Sequence, residues 1–195
     1  IERYLPELLP KLMPVQSPMM CGAIYVKKYM KVSDKLAFIS PCIAKKNEID
    51  DPNNKGVVSY NLTFSHLVAY LKAHPVSGAS SYTDEIEYGL GSIYPMPGGL
   101  KENVFWLLGT DVFIRQVEGE KRMYHYLEKN KERIKSGVTP YLFIDALNCE
   151  NGCICGTATN PEISETDDAL YNLLRIREAV KKSDKGPWDK FNTPA

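Results

Sequence analysis

The chain has no excess of charge of either sign: 24 Lys and Arg balance 24 Asp and Glu over 195 residues. That balance argues against a broad basic surface for nucleic acid, which needs clustered cations to neutralise phosphates. It also leaves no polybasic patch for an anionic membrane. No apolar run approaches the ~20 residues that span a bilayer. The opening Ile1-Glu2-Arg3 has neither the charged stub nor the apolar core of a secretory leader. Histidine is scarce, and His66, His74 and His125 fall in no ligand-like spacing, so no catalytic role is assigned to them. There is no internal repeat and no low-complexity segment. An even complement of cysteines is lacking too. Five thiols without a leader fit a reducing compartment, expected to be the cytoplasm, better than a disulfide framework.

What is present reads as alternating strands and helices. Residues 1–12 suggest a short amphipathic helix broken by Pro6 and Pro10. They carry no capping residue ahead of them, as if the chain were excised from a longer protein. Ser17-Pro18 reads as a helix start, with a hydroxyl cap and Pro at the first helical position. Leu36–Ile39 predicts a buried strand, 57–61 a second strand, and Thr63 the cap of a helix over 64–73. Residues 76–99 read as a long loop ending in Pro95-Met96-Pro97-Gly98-Gly99. A helix is expected from Leu100 to Gly109, a strand over 112–117, a charged helix over 120–135 and a strong strand over 141–147. A last helix follows over 165–182, then a polar tail over 183–195 in which Trp188 suggests an anchor for a neighbouring module. The pattern predicts an α/β fold with a mostly parallel sheet flanked by helices. The 44% hydrophobic content suffices for a core that forms without metal.

Two cysteine motifs follow predicted strands, where parallel α/β folds place their sites. The first is Ser40-Pro41-Cys42-Ile43-Ala44-Lys45-Lys46-Asn47-Glu48. A cysteine at the start of a helix has its thiolate favoured by the helix dipole, and Lys45 one turn on suits an anionic ligand. The second is Asp145-Ala146-Leu147-Asn148-Cys149-Glu150-Asn151-Gly152-Cys153-Ile154-Cys155-Gly156. Its C-x-x-x-C spacing lets two thiolates converge on one metal centre, and thiolates suit Zn²⁺ and iron–sulfur clusters alike. The plain alternatives are inert thiols in a helix cap and a turn, and a solvated Lys45. Cys21 is expected in the core, Met19 and Met20 as core filling, Cys155 as a bystander, and Gly98-Gly99 as either a tight turn or a close approach to a cofactor.

Together the motifs resemble those of the iron-only hydrogenase large-subunit domain. The family's middle motif, M-P-C-x-x-K-K-x-E, is matched by S-P-C-I-A-K-K-N-E at all but the first position. Its last, E-x-M-x-C-x-x-G-C-x-x-G-G-G, is approached by D-A-L-N-C-E-N-G-C-I-C-G, with Asp145 for Glu, Leu147 for Met, and Thr157-Ala158 in place of the final glycines. Ser17-Pro18 matches a helix start of the family, and Pro97–Glu102 resembles its G-G-x-x-E segment. The resemblance runs over roughly residues 1–182, read as one partial domain.

The resemblance implies that Cys42 and Cys149 ligate a 4Fe–4S cluster, and that Cys153 also bridges to a two-iron subcluster in true hydrogenases. It implies that Lys45 hydrogen-bonds a cyanide of that subcluster, with Ser17 and Pro41 beside the cofactor. The family's first motif, T-S-C-C-P-x-W, is absent, so an upstream segment is the implied source of the fourth ligand. Met19, Met20 and Cys21 stand where catalytic members carry Gln-Gln-Met, which with the lost glycines resembles the sensory branch. Electron-transfer or signalling modules of the same chain are the implied partners, and these 195 residues alone are expected to evolve no hydrogen. A catalytic hydrogenase and a metal-free α/β interaction domain are the competing readings.

Overall fold

The computed structural model describes residues 1–79, 90–160, 162 and 166–182. Among the described residues the helices and strands are α1 (Pro18–Lys28), β1 (Ala37–Ser40), α2 (Lys45–Asp50), β2 (Tyr60–Thr63), α3 (Phe64–Ala73), α4 (Gly99–Leu108), β3 (Ile114–Glu118), α5 (Glu120–Ser136), β4 (Phe143–Leu147) and α6 (Asp167–Lys182), with short 3-10 turns between them. The tail over 183–195, with Trp188, and residues 80–89 of the predicted loop lie outside the described residues. The chain forms two compact units. One comprises Ile1–Lys11, Ser81–Cys155 and Glu162–Ala195; the other comprises Leu12–Ser80 and Gly156–Pro161.

The second of these units is built on a parallel pair, β1 with β2, joined through α2 and registered from Ala37 opposite Tyr60 to Ser40 opposite Thr63. α1 starts where Ser17-Pro18 predicts. The Ser17 hydroxyl accepts the Met20 N–H at 3.3 Å, satisfying one of the donors a helix start leaves bare. Thr63 caps α3 the same way through the His66 N–H. The core here is small: Met19, Met20, Ile49 and Val58, with Ala23, Phe38 and Val57 against it. The first unit repeats the scheme. β3 and β4 pair in parallel from Ile114 opposite Phe143 to Glu118 opposite Leu147, joined through α5. Leu127 of α5 packs with Leu5 and Leu8, and Ile144 and Met123 close that cluster.

The expected α/β class, with parallel strands flanked by helices, is borne out; among the described residues the parallel strands form two separate two-stranded sheets. Three expectations are corrected. Residues 1–12 give a 3-10 turn over Pro6–Lys11 rather than an α-helix, because Pro10 lacks the N–H that an α-helical bond there would use. The run ending at Ile39 is not a buried strand. Ile39 is 47% exposed, since among the described residues β1 has one partner strand. Cys21 lies exposed rather than in the core, because Met19, Met20 and Ala23 take the buried face of α1; its thiol points to the Gln16 carbonyl at 3.5 Å.

Candidate functional site

Each unit carries cysteine just beyond the C-terminal end of a parallel strand. In the second unit, Ser40 ends β1 and Cys42 follows two residues later. The Cys42 backbone is held on both sides. Its carbonyl accepts from the Asn61 side-chain amide at 3.0 Å, and its N–H donates to Ser40 Oγ at 3.4 Å. Ser40 is fully buried and lies 2.6 Å from Asn61 Oδ1, so strand β2 fixes the loop that carries the thiol. The segment after the last cysteine motif closes over the same loop. The Ala158 N–H donates to the Pro41 carbonyl at 2.9 Å, and the Thr157 hydroxyl accepts the Ile43 N–H at 3.2 Å. Cys42 itself is half-buried and precedes α2 rather than beginning it, since α2 starts only at Lys45.

Lys45 is paired and only partly exposed. Its ammonium meets Glu48 Oε2 at 2.6 Å, with the two side chains 30% and 24% exposed. The other oxygen of Glu48 accepts from the Ser17 hydroxyl. Ser17, Lys45 and Glu48 thus form one polar group in the second unit, tying the α1 cap to α2. A lysine held this way presents an oriented cation, unlike one waving in water.

In the first unit β4 runs into Cys149, and a 3-10 turn spans Cys153–Cys155. All three thiols are half-buried. The turn is pinned by the loop before α4: the Cys153 N–H donates to the Pro95 carbonyl at 2.7 Å. Gly152 makes that approach possible. Its φ is +71°, and a Cβ there would stand 2.4 Å from the Pro95 oxygen. Gly98, at φ +77°, precedes α4, and a Cβ on Gly99 would stand 2.0 Å from the Ile93 carbonyl oxygen. Asp145 is buried within β4 and accepts the Lys101 N–H of α4 at 3.2 Å. Burial pushes its carboxyl pKa up, against the pull of that N–H and of the Lys101 charge. A cavity of about 220 Å³ on this unit, lined by Arg115, Tyr126, Arg133 and Tyr141 among others, lies by the N-terminal ends of β3 and β4, away from the cysteines.

The structure therefore sets Cys149 and Cys153 on one turn, and Ser17, Pro41, Cys42 and Lys45 in the other unit. Among the described residues no three His, Cys, Asp or Glu side chains are grouped to hold a metal ion. As donors, three half-buried thiols on backbone held by hydrogen bonds fit an iron–sulfur group, whose ligands are thiolates. Glu48 and Ser40 lie inside the first motif, yet only their contacts give them roles. Asn61 and Thr157 carried no signal of contact with Cys42, being 19 and 115 residues away in sequence.

Comparison with known proteins gives a consistent picture. The family model described as "iron only hydrogenase large subunit, C-terminal domain" matches residues 1–121. The periplasmic Fe hydrogenase large subunit of Nitratidesulfovibrio vulgaris is 26% identical over 238 residues, covering 94% of this chain and 56% of the relative. An FeFe-hydrogenase of Chlamydomonas reinhardtii superposes with a TM-score of 0.58 at 16% identity, over 95% of this chain and 63% of that one. A second FeFe-hydrogenase structure, concerned with stepwise H-cluster assembly, gives 0.57 at 16% identity over 92% and 62%. The chain spans a little over half the length of these relatives, and at such identity the structural likeness establishes the fold.

Proposed function

The chain belongs to the family of the iron-only hydrogenase large subunit, C-terminal domain, and from that premise we propose that it is part of a hydrogenase-like iron–sulfur protein with a regulatory role. Cys42, Cys149 and Cys153 supply thiolates to a 4Fe–4S cluster, and a further segment of the intact protein supplies the fourth ligand. The observation that carries this reading is the placement of both cysteine motifs. Each sits two residues past the C-terminal end of a parallel strand, on backbone held by its own hydrogen bonds. When bound, such a cluster supplies one-electron redox chemistry. The protein holds the sulfurs, shields them from water and sets the surrounding charge.

Two features favour regulation over turnover. Met19 and Met20 follow Ser17-Pro18 where catalytic members of the family carry polar side chains, and both are buried in the core of their unit. Thr157 and Ala158 replace the closing glycines and are engaged on the Cys42 loop. The catalytic reading keeps one point in its favour: Lys45 is oriented by Glu48, ready for an anionic ligand such as a two-iron subcluster.

The test is anaerobic loading of the chain with ferrous iron and sulfide, with dithiothreitol present to fill the fourth coordination position. The expected result is about four irons per chain, charge-transfer absorption and an EPR signal on reduction. Cys42→Ala and Cys149→Ala should each lose most of that iron. Zinc, or no metal, would leave a metal-free α/β interaction domain. Hydrogen evolution by the intact protein after maturation would favour the catalytic reading.

A further inference from the structure

We propose that Thr157 is a hydrogen-bond donor to the sulfur of Cys42 and raises the reduction potential of a cluster held there. The inference rests on the cluster reading above and gives it a tuning residue.

Thr157 stands where the family's last motif has glycine. Its hydroxyl oxygen accepts the Ile43 N–H at 3.2 Å, which commits a lone pair and turns the hydroxyl proton elsewhere. Cys42 Sγ lies 3.9 Å from the same oxygen, within the longer reach of a sulfur acceptor, and accepts the hydroxyl's hydrogen bond. The neighbours of Thr157 hold it there. Ala158 is buried, its N–H donates to the Pro41 carbonyl at 2.9 Å, and its carbonyl accepts the Ser65 N–H at 3.1 Å. The Thr159 hydroxyl donates to the Gly156 carbonyl at 2.8 Å and closes the turn. A glycine in this position would offer no side-chain donor.

A donor on a ligating thiolate draws off part of its negative charge. The reduced cluster carries one more electron than the oxidised one, so the donor stabilises it more, and the potential rises. Asn61 and Ser40 hold the Cys42 backbone independently of Thr157. Loss of the hydroxyl therefore leaves the thiol in place and changes its electronics.

The experiment is an EPR-monitored redox titration of the iron- and sulfide-loaded chain, compared with Thr157→Val and Thr157→Ser. Thr157→Val keeps the shape and removes the donor. We expect full iron content and a roughly tenfold weaker electron affinity, a midpoint lower by about 59 mV for one electron. Thr157→Ser restores the hydroxyl and should titrate with the unsubstituted chain. Equal midpoints at equal iron content, or a serine variant shifted as far as the valine, would overturn the tuning role and leave the cluster standing. Loading of the unsubstituted chain but not of Thr157→Val would replace tuning by a purely structural role. Failure of every variant to load would overturn the cluster reading together with this one.

Discussion

Asp145 is 2% exposed, and its carboxylate has one backbone donor, from Lys101, to offset burial. Burial, helped by the nearby Glu118 charge, holds its pKa above the ordinary 3.8. The folded state therefore keeps a proton that the unfolded chain has lost in the window just above pH 3.8, and stability falls as pH rises through it. Asp145→Asn keeps an acceptor for Lys101 without the charge, so its melting temperature at pH 7 should equal or exceed that of the parent. Asp145→Ala strands the donor and should cost about 1–3 kcal/mol in a urea melt. Tyr141 titrates at the other end of the scale. Burial first, then the adjoining Tyr126, push its phenol up to about 12. Its hydroxyl is buried, with no partner in hydrogen-bonding geometry among the described residues. Between about pH 10 and 12 the unfolded chain ionises first, so stability declines over that window. Tyr141→Phe should flatten this decline in melting curves taken across it.

At the scale of elements, caps and turns decide more than propensity. α1 and α3 were legible because Ser17-Pro18 and Thr63 are start signals with a mechanism, and both caps form. Ser17 has a second task that its position in sequence did not reveal, its bond to Glu48. Ser17→Ala removes both bonds. It should cost about 1 kcal/mol or somewhat more, a fall of about 2–4 °C in melting temperature for each kcal/mol. The cysteine turn hangs on Gly152. Gly152→Ala places a methyl 2.4 Å from the Pro95 oxygen at a φ of +71°. It should break the Cys153–Pro95 bond and destabilise by more than ~1 kcal/mol, with iron retention reduced on loading. The strands were harder to bound than the helices. β2 begins at Tyr60 rather than at Val57 because Val57 and Val58 turn into the core before the ladder starts.

For the whole molecule, the two units each have a core of a few buried side chains: Met19, Met20, Ile49 and Val58 in one, Leu5, Leu8 and Leu127 in the other. Each also has a parallel strand pair and a helical crossover. The metal-free chain is expected to melt cooperatively by far-ultraviolet circular dichroism; a melt without a cooperative transition would count against that. A cluster that binds only the folded state adds to this stability by mass action, about 2.7 kcal/mol at a hundredfold excess over the dissociation constant. The loaded chain should melt several degrees higher, and an iron chelator should return it to the metal-free value.

The chain's α/β class, most of its helix starts and its cysteine chemistry were written in local patterns: period, capping residues and thiol spacing act over a few residues. The tertiary structure alone decided which groups meet across long separations. Among the described residues the parallel strands pair within each unit, β1 with β2 and β3 with β4, a partnering that local pattern does not specify. Lys45 found Glu48 on its own helix, but the Ser17 contact that completes the group crosses 31 residues. Cys42 met Asn61 and Thr157 because folding, unlike sequence pattern, selects contacts by packing and by the need to satisfy buried polar groups.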